Sequence, residues 1–468
     1  MPQTALAFDA DLLRRYDRPG PRYTSYPTAP QFHPGFGEAE LRAAAARSNG
    51  DPIPRPLSLY VHVPFCHSPC FYCGCNRVIT RDPARGEAYL ARLRREIALT
   101  APLFDRDRRA VQLHFGGGTP NFLSATQLAD LALLLQSRFH FGPAADCDIS
   151  IELDPRHGRP QDLPVLAEAG FNRVSLGVQD FDPAVQQAVN REQGIEDTAA
   201  IIEAARGAGM QSINIDLIYG LPGQCLEGFG RTLEIVTELR PDRLAVYSYA
   251  HLPHLFKAQK QIDARLLLDG EAKLALLQLA VERLTAAGYV YIGMDHFALP
   301  GDALARARAR GDLHRNFMGY TTHADSDLIG LGVSAISHIA DTYSQNPRDL
   351  PAWEAAIDAG RLPVARGMVL DADDELRADL IQGLMCHGEI PIPALEARHG
   401  IAFAEYFAAD LARLYPLAED GLVTIAPDAI RATPRGQLLL RNIAMCFDRY
   451  LAPPADAADT RPRYSRAI

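Results

Sequence analysis

The sequence predicts an α/β fold built from repeated strand–helix units, with an N-terminal arm before it and a mainly helical C-terminal domain after it. Three observations carry that prediction. Between Leu57 and about Phe297, short apolar runs rich in β-branched residues alternate with amphipathic stretches, the pattern of βα units and a parallel sheet. Glycines and polar residues gather where those runs end. From about residue 365 the strand pattern gives way to successive helical ones.

Residues 1–55 contain Arg15-Tyr16-Asp17 and Gly20-Pro21-Arg22-Tyr23-Thr24-Ser25-Tyr26-Pro27-Thr28. This mixture has no helical or strand period and reads equally as an ordered arm packed over another part of the chain or as a tether on the surface. Strands are expected at 57–63, 111–115, 148–153, 173–178, 212–219, 243–248 and 289–294. Helices are expected between them at 87–100, 125–139, 197–208, 228–239 and 271–287. Periodicity leaves an open doubly wound sheet and a complete or partial barrel equally open. The positions of the polar residues favour a barrel. Cys66 follows the first strand, Gly116-Gly117-Gly118-Thr119-Pro120 the second, and Glu152 ends the third. Gln179 follows the fourth, Asp216 sits late in the fifth, and Tyr249-Ala250-His251 follow the sixth. Chemistry at the C-terminal ends of successive parallel strands is the barrel arrangement.

The catalytic unit and its extension are placed at 56–362, with a charged helical segment at 302–312 and small residues in Gly330-Leu331-Gly332-Val333-Ser334 that permit close backbone approach, although packing alone explains them equally well. The C-terminal domain is placed at 363–451, with helices at 373–386, 392–399, 403–415 and 434–450 and a short strand at 422–425. Residues 452–468, rich in proline, alanine and charge, read as a loose tail.

The 468 residues are 47% hydrophobic and 22% charged, the balance of an ordinary globular protein. A net charge of -10 argues against a nucleic-acid partner held through phosphates. Apolar runs of membrane-spanning length are missing, and Met1-Pro2-Gln3-Thr4 lacks the basic-then-apolar order of a signal peptide. The expectation is therefore a cytoplasmic protein with no membrane partner; a monomer is also expected, though none of these features fixes the oligomeric state. Cys147, Cys225, Cys386 and Cys446 stand singly in apolar surroundings and are expected to be buried thiols.

The other four cysteines lie in His62-Val63-Pro64-Phe65-Cys66-His67-Ser68-Pro69-Cys70-Phe71-Tyr72-Cys73-Gly74-Cys75. Cys66, Cys70 and Cys73 have C-x3-C-x2-C spacing on one loop, which suits an iron–sulfur cluster better than a disulfide. A cubane held by three thiolates keeps one iron open for chemistry. A zinc or redox-thiol site is the rival reading, with His62 or His67 as a further ligand, but it leaves the glycine run and strand-end acids unexplained.

These motifs resemble the radical S-adenosylmethionine (SAM) enzymes, which have a partial (β/α)6-type barrel, and among them the oxygen-independent coproporphyrinogen III oxidase (dehydrogenase) family. The likeness runs from Arg15 to beyond Met445 and includes residues 22–28, 62–76, 114–120, 177–181, 214–223 and 316–320. It implies a 4Fe-4S cluster on Cys66, Cys70 and Cys73, with SAM chelating the fourth iron. SAM contacts are implied at Tyr60, Tyr72, Gly117, Gly118, Thr119, Glu152, Gln179, Arg191, Asp216, Ala250 and Ile336. The family holds two SAM molecules, which places Tyr60, Gly117, Glu152 and Ile336 around the cluster-bound one and Gln179, Arg191, Asp216 and Ala250 around the second. Cys75 is implied to be a catalytic thiol and not a cluster ligand.

The implied reaction is anaerobic oxidative decarboxylation of two propionates of coproporphyrinogen III to vinyl groups in haem biosynthesis, with an electron donor and an electron acceptor as partners. For the substrate carboxylates, Arg22, His251, Lys257 and Arg315 are candidates, each equally open to being a structural ion-pair partner. Two related readings remain: a radical-SAM-like haem chaperone, which usually lacks the Tyr23-to-Thr28 arm and a cysteine at the Cys75 position, and a radical SAM enzyme acting on another tetrapyrrole.

Overall fold

The computed structural model describes residues 6–451 and 464–466. Six parallel strands, β1 (Leu57–Val63), β2 (Arg109–Gly117), β3 (Asp148–Leu153), β4 (Arg173–Gln179), β5 (Ser212–Tyr219) and β6 (Arg243–Ser248), lie side by side in that order. Each neighbouring pair is parallel. Antiparallel strands β7 (Val290–Gly293) and β8 (His296–Ala298) extend the β6 edge. On the other edge β9 (Asp327–Leu331) runs parallel to β1, followed by β10 (Ile336–Ile339), β11 (Thr342–Gln345) and β12 (Arg366–Val369). Among the described residues the outer strands β7 and β12 do not pair with each other, so the sheet is a partial barrel.

Period-2 alternation along the strands sorts the side chains. Leu59 and Val61 of β1, Leu113 and Phe115 of β2, Ile151 of β3, Leu176 of β4 and Ile215 and Leu217 of β5 are fully buried in the main hydrophobic cluster. Each such side chain contributes about 1.5–3 kcal/mol on burial. The alternate positions turn inward, and there register aligns Tyr60 with His114, Glu152 with Ser175, and Gly177 with Asp216. A polar interior is thus fixed by the same alternation that builds the apolar exterior.

The helices that cover this exterior begin at side-chain caps, which satisfy otherwise orphaned amides. Asp82 accepts from Ala84 N at 3.0 Å at the start of Pro83–Thr100, and Ser124 with Gln127 forms a capping box for Ala125–Arg138. Gly270–Ala286 starts from Asp269 in the same way.

The arm contains two helices that composition did not reveal, Ala10–Tyr16 and Glu38–Asn49. Each buries one face: Leu12, Leu13 and Tyr16 in the first, and Leu41, Ala44 and Ala45 in the second. The arm joins the C-terminal domain to the sheet. Tyr16 donates to Asp420 at 2.6 Å and Tyr23 to Asp448 at 2.9 Å.

The C-terminal region holds helices Ala372–His387, Ile392–His399 and Ala408–Glu419 and a three-stranded antiparallel sheet of Glu389–Pro391, Ala429–Ala432 and Val423–Ile425. The expected helix at 403–415 is interrupted at Phe407, which is fully buried against Phe403 and Phe447. The expected helix at 434–450 is shorter, with one 3-10 turn at Gly436–Leu439 and α-helix only at Leu440–Met445. Gly436 lies so close to the Leu422 carbonyl that a Cβ would sit 2.0 Å from that oxygen, and this approach sets the chain's course. Within the expected tail, residues 452–463 and 467–468 lie outside those described. Ser465 and Arg466 are held, with Arg441 donating to Ser465 O at 3.1 Å and Arg466 paired with Asp17 at 2.6 Å.

All eight cysteines are free. Cys147, Cys386 and Cys446 are buried as expected, but Cys225 is exposed because it caps helix Leu226–Leu239, accepting from Gly228 N at 3.4 Å. Among the described residues no helix is long and apolar enough to cross a membrane.

Candidate active site

The cysteine loop leaves β1 and crosses the barrel mouth. A short parallel pairing of Phe65–Cys66 with Val78–Ile79 closes its base. Arg77 ties the loop together, donating from Nη1 to Cys73 O at 3.0 Å and from Nη2 to Cys70 O at 3.3 Å. Gly118 also holds the base, donating to Val63 O at 2.8 Å. A Cβ at Gly118 would lie 2.6 Å from Pro64 O, so the glycine run is required by close backbone approach. Gly117 takes φ 122, the left-handed region that favours glycine, and its amide donates to Glu152 Oε2 at 3.3 Å.

Each sulfur of the C-x3-C-x2-C triad has a polar partner. Cys66 Sγ lies 3.3 Å from Thr119 Oγ1, and the Cys75 amide donates to Cys73 Sγ at 3.4 Å. Cys70 Sγ accepts from Arg156 Nη2 and Arg191 Nη1, both at 3.5 Å. Two guanidiniums on one sulfur suit a thiolate. Burial pushes the Cys66 thiol up to about 11, so its ionisation calls for positive charge bound beside it. Donors from Cys75 bring Cys73 down to about 6, while the Cys73 sulfur holds Cys75 in its protonated form. Among the described residues no three His, Cys, Asp or Glu side chains close on a single metal ion. Sulfurs that cap separate irons of a cluster need no such convergence, so the donor set fits a cluster.

The inner wall is a chain of oriented polar groups. The Asn76 carbonyl can only accept from His62 Nε2, 2.9 Å away, so that nitrogen carries the proton. His62 Nδ1 then accepts from the Tyr60 hydroxyl at 3.0 Å. By the same logic His114 Nε2 donates to Glu152 Oε1 at 3.2 Å and Nδ1 accepts from Ser150 at 2.7 Å. Glu152 remains 44% exposed to the barrel interior. Asp216 accepts from Asn214 at 2.9 Å, and burial, helped by the Glu152 charge, pushes it up to about 7.

Gln179 sits at φ 71 beyond a register shift that begins at Gly177. Arg191 is buried and donates to the Gly177 carbonyl and, at 3.1 Å, to Asp154. It thereby links the C-terminal ends of β3 and β4 to the cysteine loop. Asp154 is held near 2: burial opposes its ionisation, but Arg191 and Arg156 outweigh it. The Ala250 carbonyl and the Tyr72 carbonyl accept from the same amide, Gln259 Nε2, at 3.0 and 2.9 Å. Ile336 opens β10, and its backbone lies against Gly330, the β9 partner of Tyr60.

The structure therefore brings the expected site residues to one mouth, with Cys75 accessible beside Cys73. Of the substrate candidates, Arg22 and Arg315 come together, since Arg315 donates to the Arg22 carbonyl. His251 pairs with the Tyr249 hydroxyl at 2.9 Å, and Lys257 is exposed on a 3-10 turn. The sequence reading missed Arg77, Arg156, Tyr247, Gln259 and Asp295. None stands in a motif, and only Tyr247, at an inward position of β6, carried a periodic signal.

Residues 60–236 match the Radical SAM superfamily and residues 370–439 the HemN C-terminal domain. The oxygen-independent coproporphyrinogen III oxidase of Pseudomonas aeruginosa is 50% identical over 463 residues, covering 99% of each chain. The Escherichia coli protein of the same name is 49% identical, covering 96% of each chain. A solved structure described as "Coproporphyrinogen III oxidase (HemN) from Escherichia coli is a Radical SAM enzyme" superposes with a TM-score of 0.90 at 48% identity, covering 95% of this chain and 100% of that one. With likeness of this depth over nearly its whole length, the chain belongs to the oxygen-independent coproporphyrinogen III oxidases, a family of radical SAM enzymes.

Proposed function

We propose that this protein converts two propionate side chains of coproporphyrinogen III to vinyl groups without oxygen, giving protoporphyrinogen IX. In each conversion the side chain loses carbon dioxide, one hydrogen atom from the carbon attached to the ring and one electron, so an electron acceptor is required. Cys66, Cys70 and Cys73 are the residues that would hold the 4Fe-4S cluster, with SAM beside it. Bound there, cluster and SAM supply hydrogen-atom abstraction, the step protein side chains cannot perform.

The chain's own residues bind and orient. Arg156 and Arg191 donate to the Cys70 sulfur and fix its direction. Tyr60, the Gly117 backbone, Glu152 and Ile336 are assigned to a SAM at the cluster, and the proton carried on His114 Nε2 keeps Glu152 in place as an acceptor. Gly118 and Thr119 hold the loop base, and Tyr72 closes the site from the loop. Gln179, Arg191, Asp216 and Ala250 are assigned to a second SAM. Near neutral pH, Asp216 is poised between acid and carboxylate and suits hydroxyl groups of a ribose. Cys75 holds an S–H bond next to the cluster ligands.

The observation that carries this reading is the placement of that accessible, proton-bearing Cys75 immediately beside Cys73, in a mouth whose three other thiols all have polar partners. Anaerobically reconstituted protein given SAM, a reductant, an electron acceptor and coproporphyrinogen III should form protoporphyrinogen IX, with about two SAM cleaved per product. Tight haem binding without turnover would instead identify a haem carrier.

A further inference from the structure

Opposite the cysteine loop, the wall formed by β6, the β7–β8 turn and the N-terminal arm holds more positive charge than it can neutralise. Arg22 of the arm pairs with Asp295 of the turn, and its guanidinium carbon lies 5.4 Å from the ring centroid of Tyr247. Tyr247 pairs in register with Ile218, two residues beyond Asp216 on the same face of β5, so this wall looks into the barrel that holds Asp216. One-third of the Arg22 side chain remains accessible, 33% against 13% for Asp295.

Arg315 adds a second guanidinium. It comes from the hairpin His314–Asn316 and Gly319–Thr321, is 4% exposed, and stands 5.4 Å from the Tyr320 ring centroid. Nη1 donates to the Arg22 carbonyl, Nε is buried without a partner, and Arg315 has no ion-pair partner among the described residues. Between the two arginines lies His296, whose ring meets both Tyr247 and Tyr320 edge-on, with centroids 5.9 and 5.2 Å apart. Its Nδ1 is also buried without a partner. Burial lowers the pKa of Arg315, and the positive charge of Arg22 lowers it further. Asp295 is thus taken by Arg22 while Arg315 has no carboxylate, and the buried Arg315 Nε has donor capacity unused.

A buried guanidinium without an anion is costly, and a carboxylate is the anion its planar fork fits. We propose that Arg22 and Arg315 form a carboxylate clamp that grips one propionate of the tetrapyrrole and so sets which side chain faces Cys75. The clamp rests on the coproporphyrinogen reading and names a binding subsite within it. It also accounts for the anchoring of the arm, because Arg22 reaches the barrel only where Tyr16 and Tyr23 fix the segments on either side of it to the C-terminal domain.

The test uses the full-length, cluster-loaded protein and its Arg22→Gln, Arg315→Gln and Arg315→Lys variants, compared at equal iron content. KM for coproporphyrinogen III should rise about tenfold or more in each Gln variant, and Lys at 315 should recover part of the loss because it restores the charge without the fork. Coproporphyrin III, followed by its fluorescence, should bind the Gln variants correspondingly more weakly. Its tetramethyl ester, which has no carboxylate, should bind wild type and variants alike. KM values within twofold of wild type, or an ester discriminated as strongly as the tetra-acid, would overturn the clamp. Should Arg315→Gln load no cluster, Arg22→Gln reads the same clamp from the arm. Failure of wild type itself to convert coproporphyrinogen III would instead overturn the parent reading.

Discussion

Replacing Glu96 by Gln isolates a buried acid that latches the turn after β9. Glu96 is 1% exposed on helix Pro83–Thr100 and accepts from Gly332 N at 2.8 Å and Asn346 Nδ2 at 2.7 Å. Burial pushes its carboxyl up to about 7, against an ordinary value of 4.5, although both hydrogen bonds pull the other way. Below pH 4.5 folded and unfolded chains both carry the proton, and the full stability is present. As pH rises towards 7 the unfolded chain ionises first, stability is lost, and above about 7 the folded group ionises too and the loss levels off. At roughly 1.36 kcal/mol per pH unit, the loss is about 3 kcal/mol. Gln has no such titration but gives up one acceptor to a buried donor, a pH-independent cost of about 1–3 kcal/mol. Urea unfolding of both proteins at pH 4.5, 6 and 8 should therefore show wild type ahead at pH 4.5 and its advantage shrinking by about 3 kcal/mol at pH 8. A wild-type minus variant difference that stays constant across that range would refute the reasoning.

Three further outcomes follow from the site. Gly118→Ala drives a Cβ to 2.6 Å from Pro64 O and 2.9 Å from Phe65 O, both backbone atoms; the overpacking should cost about 1–3 kcal/mol and displace the loop base, seen as reduced iron uptake on reconstitution. Asp154→Ala leaves the buried guanidinium of Arg191 and the half-buried one of Arg156 with no carboxylate between them, and a urea midpoint loss worth about 3–5 kcal/mol at pH 7 is expected. A loss below about 1 kcal/mol would show the pairs to be incidental. Gln259→Leu removes the amide that bridges Tyr72 O and Ala250 O; it should weaken SAM binding by calorimetry while leaving the cluster absorbance in place.

How much was legible in the sequence follows from which forces are local. The strands at 57–63, 148–153, 212–219 and 243–248 match the structure end to end because alternation and β-branching act within the strand itself. Helix ends moved by one to four residues where caps such as Asp82 lie outside the apolar pattern. Helix Ala10–Tyr16 escaped notice because seven residues give too little period. The helix expected over 434–450 fails for a tertiary reason, the contact of Gly436 with Leu422, which no local pattern records. The site divides in the same way. Cys66, Gly117, Glu152 and Asp216 are legible because each lies late in a strand or just after one. Asp295 stands in no motif and acquires meaning only when the β7–β8 turn brings it to Arg22, whereas Arg315 is a candidate by its charge and owes its place beside Tyr320 and the Arg22 carbonyl to the hairpin. Arg191, whose side chain would pass for a surface arginine, is buried because Asp154 and the Cys70 sulfur receive it.

The division of four neighbouring thiols into three cluster ligands and one proton-bearing thiol is tested most directly by cluster absorbance after anaerobic reconstitution of the four single Cys→Ser variants. Cys66→Ser, Cys70→Ser and Cys73→Ser should lose the cluster band, while Cys75→Ser should keep it and form no protoporphyrinogen IX. A Cys75→Ser protein without the band, or one with the band and undiminished product, would contradict the role given to this thiol.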